Sequence, residues 1–338
     1  MALIGPMSGS LTRLESGNPA WISGNGLSIT SGSDGSVTFT AVQQINLANF
    51  GDRSDGDVTL VTGGVGAPAW TTYSSDIYTM NRDAFLNNLT VNAGVSFRPE
   101  GFLPYIAGTL VNSGTVECRG ADASATTGGA IVTNAGTFYS NASAGGNGNT
   151  TANASSTGNG SIAVNNSVGG RGGAGGTGNG VASNTGGAIT APGLSVTSFR
   201  TLNYVLSQRL ISATTNVVLN GGSGGASGGA SGAGGALTAT SGGGGGGAIN
   251  LFLIMNTLDN AGTIRSRGGN GANASISGGV GAGGGGGGGA GSVLIAVNKV
   301  LSLGTISSTG GTGGTGAGIS TAASTGSVGT VIILSGSL

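Results

Sequence analysis

The most regular feature of the sequence is a pair of apolar segments in which both faces of an extended chain are hydrophobic. Residues 251–255 read Leu-Phe-Leu-Ile-Met, and residues 293–297 read Val-Leu-Ile-Ala-Val. Successive side chains of a β-strand point to opposite faces, so each strand would be apolar on both sides. Strands of this kind are typical of sheets that are covered on both faces. We therefore predict two buried β-strands.

These two segments belong to an ungapped repeat of 42 residues. Residues 242–272 align with residues 284–314, and each copy contains a glycine run, the apolar strand, a glycine turn and a short second strand such as Thr263–Arg265. Glycine suits the turn because it tolerates a positive φ. A shorter third copy, near the end of the sequence, contains residues 329–334. Residues 110–116 and 131–138 resemble the repeat more loosely.

Short strands are also predicted upstream of the repeat. Ser36–Val42 alternates with a period of two, which indicates a strand with Val37 and Phe39 on one face. Glycine and asparagine separate five further candidates, which are Val58–Val61, Leu89–Val91, Val95–Phe97, Tyr105–Val111 and Thr115–Cys118. Each is too short to be stable as an isolated hairpin. Stacked coils of a parallel β-solenoid would bury them together.

Composition shows that an ordinary hydrophobic core is not enough for this chain. It has 76 glycines in 338 residues, only 7% charged residues and 4% aromatic residues. The glycine runs are either flexible linkers or left-handed helices of polyproline-II shape, which pack side by side through lateral backbone hydrogen bonds. The runs recur in register with apolar strands and have almost no charged neighbours, which favours ordered packing. The fold class expected is all-β, with β-solenoid-like short strands and packed, polyglycine II-like segments.

The changes in composition divide the chain into three regions. Residues 1–50 are expected to be an N-terminal attachment segment, residues 51–122 a short-strand β-solenoid region, and residues 123–338 a glycine-rich repeat region.

Charge, cysteine content and hydropathy limit the partners. The formal net charge is zero, and charge this sparse is not a nucleic-acid footprint. The single cysteine, Cys118, cannot form an intrachain disulfide and is expected to be a small buried residue. No apolar run approaches the roughly 18 residues that span a bilayer, and residues 1–7 lack the features of a secretory signal.

Residues needed for common catalytic chemistry are missing. The sequence has no histidine, which removes imidazole acid–base catalysis and histidine zinc sites, and its single lysine is Lys299. No enzymatic activity, cofactor or catalytic residue is therefore predicted. Paired carboxylates, as in glycosidases, are the alternative. The candidates for such a pair are Asp52, Asp55, Asp57, Asp76, Asp83, Glu100, Glu117 and Asp122.

One acidic cluster raises the question of a metal. Asp52, Asp55 and Asp57 lie within six residues, but their spacing is not that of an EF-hand and no terminal glutamate follows. A polar turn that caps the next strand is the preferred interpretation, and a metal site is the alternative.

Several motifs resemble glycine-rich phage virion proteins. They run in the order Ser54-Asp55-Gly56-Asp57-Val58, Met80-Asn81-Arg82-Asp83, Asn87-Asn88-Leu89-Thr90-Val91-Asn92, Gly108-Thr109-Leu110 and Gly114-Thr115-Val116. In proteins of this kind a short β-solenoid leads into glycine-rich tracts. The glycine-rich half is also similar to phage tail-fibre adhesins, which display loops on packed polyglycine helices. The resemblance implies a virion fibre, spike or capsid decoration. A virion surface protein without a secretory signal is expected to be assembled in the host cytoplasm.

Function and partners follow from this resemblance as expectations. The main hypothesis is attachment to a host surface glycan or protein, together with binding to other virion proteins. The alternatives are a capsid decoration or head-fibre protein that binds only virion proteins, and a polysaccharide depolymerase. A homotrimer and a monomer both remain open. The surface-contact candidates are Phe199, Arg200, Tyr204 and Arg209, within Ser195–Arg209, and the pair Arg265 and Arg267.

Overall fold

The structure is a computed structural model, and the regular elements of its described residues are β-strands and a 3-10 turn at Thr62–Gly64. The predicted all-β class is confirmed. The residues that the structure describes are 21–22, 27–31, 37–41, 52–130, 142–148, 150–151, 221–228, 230–231, 239–277 and 281–337.

Two six-stranded sheets organise most of the described chain, and we number all strands in chain order. Sheet 1 has the spatial order β20-β18-β14-β9-β7-β4, and sheet 2 has the order β19-β15-β10-β8-β6-β5. The strands of sheet 1 are β4 (Gly56–Leu60), β7 (Ala84–Val91), β9 (Pro104–Asn112), β14 (Leu251–Asn260), β18 (Val293–Ser302) and β20 (Val331–Ser337). Those of sheet 2 are β5 (Thr71–Ser74), β6 (Ile77–Met80), β8 (Ser96–Arg98), β10 (Thr115–Arg119), β15 (Thr263–Arg267) and β19 (Thr305–Thr309).

The chain passes from one sheet to the other at nearly every step, and neighbouring strands within each sheet are parallel. Within sheets 1 and 2, the exception is the antiparallel pair β5 and β6. The repeat copies lie side by side, because Leu251 pairs with Val293 and Thr263 pairs with Thr305. The 42-residue offset in the sequence is therefore the register between adjacent strands. The β5–β6 hairpin was not predicted from the sequence.

The core lies between the two sheets and consists of columns of apolar side chains. In sheet 1, Leu89, Leu110 and Leu258 pair in succession and are fully buried. A matching column in sheet 2 contains Phe97, Val116 and Ile264. The segments 251–255 and 293–297 are buried on both faces, as their sequence predicts.

Asparagine–glycine turns join sheet 1 to sheet 2 and stack on one another. The buried Asn112 side chain donates from Nδ2 to Oδ1 of Asn260 at 2.7 Å, and Asn260 donates in turn to the Leu303 carbonyl. The turn glycines stack as closely as the asparagines: a Cβ on Gly262 would lie 2.9 Å from the carbonyl carbon of Ser113. Asparagine and glycine are thus required here for different reasons, one for its amide and the other for its missing side chain.

The remaining strands are short. β1 (Trp21–Ile22), β2 (Leu27–Ser31) and β3 (Val37–Ala41) form an antiparallel sheet, so the strand predicted at 36–42 is confirmed. Two small antiparallel sheets contain β11 (Thr150–Thr151), β13 (Ala239–Thr240) and β16 (Ser275–Ile276), and β12 (Ala230–Ser231) and β17 (Gly281–Ala282).

Candidate functional site

The glycine-rich segments form a bundle at one end of the two sheets. They leave sheet 2 after β10, β15 and β19 and enter sheet 1 before β14, β18 and β20. We call this assembly the glycine bundle. Its described segments are 120–130, 142–148, 221–228, 241–250, 268–274, 281–292, 310–317 and 323–330. Every residue of 221–228, 241–250 and 281–292 is buried.

Backbone N–H groups in the central segment point to three neighbours with a period of three residues. The amides of Gly242, Gly245 and Ala248 donate to carbonyls of Gly283, Gly286 and Gly289 at 2.8–3.1 Å. Those of Gly243 and Gly246 donate to Ala125 and Ala121, and those of Gly244 and Gly247 donate to Gly146 and Ser143. Hydrogen bonds that return to the same neighbour every third residue indicate three residues per turn.

The carbonyl groups of the same segment follow the same period. Gly228, Gly225 and Gly222 donate in turn to Gly242, Gly245 and Ala248. Ala272 and Gly269 donate to Gly243 and Gly246, and Gly129 donates to Gly244. Residues 242–248 are therefore hydrogen-bonded in six directions to five other segments, because 120–130 contributes both Ala121/Ala125 and Gly129. A Cβ at any of Gly242–Gly247 would meet the backbone of a neighbouring segment.

Two buried serines attach the bundle to sheet 2. Ser266 Oγ donates to the Ile249 carbonyl and accepts from the Gly291 amide, both at 3.0 Å. Ser308, 42 residues later, repeats this with the Gly291 carbonyl at 2.6 Å and the Gly329 amide at 2.8 Å. Each hydroxyl binds backbone groups on two consecutive segments that lead back into sheet 1, which fixes the bundle against the sheet.

The connections between bundle segments lie at the end farthest from the sheets, which we call the bundle tip. Its position follows from the antiparallel pairing, in which Ala121 faces Gly246 and Ala125 faces Gly243, farther from β14. The short strands β11, β12, β13, β16 and β17 tie the connections together there. The described tip residues are 124–127, 150–151, 230–231, 239–240, 273–277, 281–282 and 315–321.

The bundle tip presents small polar groups on a closely held backbone. Asn273, Ser275, Thr315 and Thr321 are exposed, together with Ile319. None of the described tip residues is charged. Such a surface can recognise a partner by hydrogen bonds and contact, as uncharged sugars or neutral protein surfaces require, and not by ion pairing.

A second candidate surface is the outer face of sheet 2, where arginines surround one buried carboxylate. Glu117 Oε1 accepts from Arg98 Nη2 at 2.8 Å, and Glu117 Oε2 accepts from Arg265 Nη2 at 2.8 Å. Burial raises the pKa of Glu117, but hydrogen bonds and charge from Arg265 and Arg98 outweigh it, so the pKa is lowered overall. The three side chains link strands β8, β10 and β15.

The neighbouring row of this face contains Arg119 and Arg267, which are register partners on β10 and β15. Arg119 forms an ion pair with Asp122, and Arg267 donates to Asn270 Oδ1 at 2.8 Å. Both arginines are thus held by residues at the start of the glycine bundle.

The structure places the predicted contact residues as follows. Arg265 and Arg267 lie on this outer face, and Arg265 is bound to Glu117. Phe199, Arg200, Tyr204 and Arg209 lie outside the described residues. Sequence reasoning did not identify the Glu117 cluster, because Glu117 and Arg265 are 148 residues apart and only the strand register brings them together.

The clustered aspartates have separate partners. Asp52 accepts from the Ser54 amide, Asp55 pairs with Arg82 at 2.6 Å, and Asp57 accepts from the Asn87 and Asn88 side chains. Within residues 52–130 and the other described ranges, no group of three acidic, histidine or cysteine side chains is arranged to hold a metal ion.

Most of the other carboxylates bind backbone or arginine. Asp76 accepts from the Gly63 amide and the Tyr73 hydroxyl, and Asp83 accepts from the Leu103 amide. Asp122 accepts from the Asn270 amide as well as from Arg119. Glu100 differs in that burial raises its pKa.

Cys118 is buried, as predicted, and burial raises the pKa of its thiol. None of the helical segments in the described ranges is long and apolar enough to cross a membrane.

In comparisons with known proteins, no family model, no curated protein and no solved structure matched this chain.

Proposed function

We propose that this chain is a structural protein of a virion surface, a fibre, spike or adhesin, and that its glycine bundle holds host-contacting loops at the bundle tip. The observation that carries the proposal is the six-sided hydrogen bonding of residues 242–248. A scaffold of this kind is rigid without side chains, so the loops it connects can vary while the scaffold stays the same. The resemblance of residues 54–116 to glycine-rich phage virion proteins supports the same assignment.

The proposal includes a finer description of the fold. Alternation of the chain between two parallel sheets, with copies in register, supports a β-solenoid of short coils. The period of three in the bundle supports helices of the polyglycine II type. The solenoid would then be a stem, and the bundle would extend from the side of the coils where the chain returns from sheet 2 to sheet 1.

The proposed role is non-enzymatic and needs no cofactor. Support comes from the described carboxylates, most of which accept hydrogen bonds that hold the fold together, as Asp55 does with Arg82 and the Phe85 amide. A depolymerase would require two carboxylates facing a cleft. Incubation of the protein with capsular polysaccharide, followed by size analysis of the glycan, tests this, and shortened glycan would overturn the non-enzymatic assignment.

Competition for host cells tests the attachment role. Purified protein added in excess should slow adsorption of the phage that carries it. The variant Ser275→Arg places a large charged side chain on the exposed bundle tip and should abolish the competition. The control Thr59→Arg places the same side chain on β4, away from the bundle, and should compete like the wild type.

Labelling of intact particles separates attachment from capsid decoration. Gold-conjugated antibodies should mark the tail or fibre tips if the protein contacts the host. Label spread over the head, together with unchanged adsorption in the presence of free protein, would reject attachment and favour a decoration role.

A further inference from the structure

The last rung of the sheet stack leaves the hydrophobic core uncovered. Leu251, Val293 and Val331 are register partners in one inward-facing column. The first two are completely buried, but Val331 is 39% exposed. In sheet 2, Ile264 is fully buried while its partner Ile306 is only partly buried. The core therefore opens at the side formed by β19 and β20.

Both strands on this side are sheet edges. Within the described residues β19 pairs only with β15, and β20 pairs only with β18. Proteins usually protect such edges with charged residues or proline. Residues 300–338 contain no aspartate, glutamate, lysine, arginine or proline. We call this side, formed by β19, β20 and the adjoining residues 301–304 and 328, the open edge.

Exposed apolar side chains concentrate at the open edge. Leu301, Leu303, Val328 and Val331 are all exposed, and Val328 is 66% exposed. Outside the open edge, the large hydrophobic residues of the described ranges with comparable exposure are Val65 and, at the bundle tip, Ile319. Apolar surface that is concentrated in this way marks an interaction site.

The opposite edge of the stack has a different character. It is formed by β4 and β5, and it carries Asp57 on β4 with Asp52 just before that strand. A second copy stacked head to tail would press these carboxylates against an edge whose strands, β19 and β20, contain no basic residue. Asp52 and Asp57 accept hydrogen bonds from neutral groups of Ser54, Asn87 and Asn88. Burial of a carboxylate without an opposite charge is strongly unfavourable, so charge disfavours this arrangement.

We propose that the open edge binds the open edge of a second copy of this chain, related by a twofold axis. The same surface then meets itself, which is the isologous contact found in most symmetric dimers. The open edge contains no charged side chain, so none is buried when two such edges meet. The unpaired backbone groups of β19 and β20 then gain partners. The exposed column that ends at Val331 is covered by its counterpart.

Sedimentation equilibrium of the full chain over a wide concentration range tests the proposal. The expected mass is about twice the chain mass of 31.7 kDa. Val331→Lys should weaken dimerisation roughly tenfold or more, because it places one ammonium group from each copy in an apolar contact. Val65→Lys, at a more exposed position outside the open edge, should leave the dimer unchanged.

A second lysine variant and a disulfide cross-link keep the test valid if Val331→Lys fails to fold. Leu303→Lys changes the turn and not a strand, and should give a monomer with the circular dichroism spectrum of the wild type. Val331→Cys should form a covalent dimer under mild oxidation, since the native Cys118 is buried and cannot contribute. A wild-type monomer at every concentration, a trimer, an open-ended polymer, or a dimer that survives both lysine variants would overturn the proposal.

Discussion

Insertion of one methyl group into the centre of the glycine bundle should destabilise the whole protein. In Gly245→Ala, the new Cβ would lie 2.5 Å from the carbonyl carbon of Gly269 and 2.8 Å from that of Asn270. Carbon atoms in van der Waals contact are about 3.5–4.0 Å apart. The segments 242–248 and 269–272 would therefore have to separate by about 1 Å.

The energetic cost follows from the hydrogen bonds that this separation breaks. The same two segments are joined by the Gly269 amide to the Gly246 carbonyl at 2.8 Å and the Ala272 amide to the Gly243 carbonyl at 2.9 Å. A further 1 Å takes both beyond hydrogen-bonding distance. The loss of each of these two buried hydrogen bonds costs about 1–3 kcal/mol. After the entropic gain from replacing glycine, about 0.4–1 kcal/mol, we expect a loss of about 2–5 kcal/mol.

Thermal unfolding followed by circular dichroism measures this loss. In a chain of this size, about 2 °C of melting temperature corresponds to each kcal/mol, so the expected decrease is about 4–10 °C. Gly314→Ala, in an outer segment, should behave in the same way, because its Cβ would lie 2.5 Å from the Ala272 carbonyl carbon. Its neighbour Thr315 is exposed, so the control Thr315→Val should unfold within about 1 °C of the wild type.

The opposite sign would refute the ordered bundle. If residues 242–248 were a flexible linker, Gly245→Ala would leave the melting temperature unchanged or raise it slightly. A Gly245→Ala protein that melts at or above the wild-type temperature, with Thr315→Val also unchanged, would contradict the reasoning.

Three further predictions concern buried polar groups. Ser266→Ala should lower the free energy of unfolding by about 2–4 kcal/mol, because the Ile249 carbonyl and the Gly291 amide lose their partner. Equal free energies of unfolding in chemical denaturation for Ser266→Ala and the control Ser307→Ala, on the outer face, would disprove this. The pKa of Glu117 is lowered in the fold, so its contribution to stability is present above its ordinary value of 4.5 and is lost as the pH falls through the lowered pKa. Glu117→Gln should therefore destabilise the protein by about 1–3 kcal/mol at neutral pH and lose less stability than the wild type below pH 4.5. Melting temperatures that depend on pH in the same way in the variant and the wild type would argue against this. The Cys118 thiol should resist alkylation in the native protein and react only on unfolding, which mass spectrometry can follow.

Much of the sheet structure could be predicted from the sequence, because a repeated apolar strand has few ways to be buried. The continuous apolar run at 251–255 and its copy at 293–297 predicted strands covered on both faces, and the 42-residue offset between them is the observed register. The strands predicted between residues 58 and 118 are present, although β7 begins earlier than the apolar pattern indicated. The β5–β6 hairpin was missed because its alternating polar residues lie outside the repeat.

The candidate surfaces were much less predictable. Arg265 and Arg267 could be proposed only as exposed cations, since nothing near them in sequence marks Glu117 as a partner. The role of Ser266 was equally hidden, because a serine in a strand has no local signature of a bond to a segment 25 residues later. The open edge could not be inferred either, since exposure of Val331 depends on what lies beside β20.

The sequence by itself determined the local conformations of this protein: extended apolar strands, asparagine–glycine turns, and glycine runs with no side chains to keep them apart. These follow from side-chain shape and periodicity, which act over a few residues. Only the tertiary structure decided which segments became neighbours. Residues 242–248 are held by five segments drawn from positions 121 to 289. Backbone amides and carbonyls are identical at every glycine and cannot encode which partner they will bind. That choice comes from the strand register, which places each glycine segment before its hydrogen bonds form.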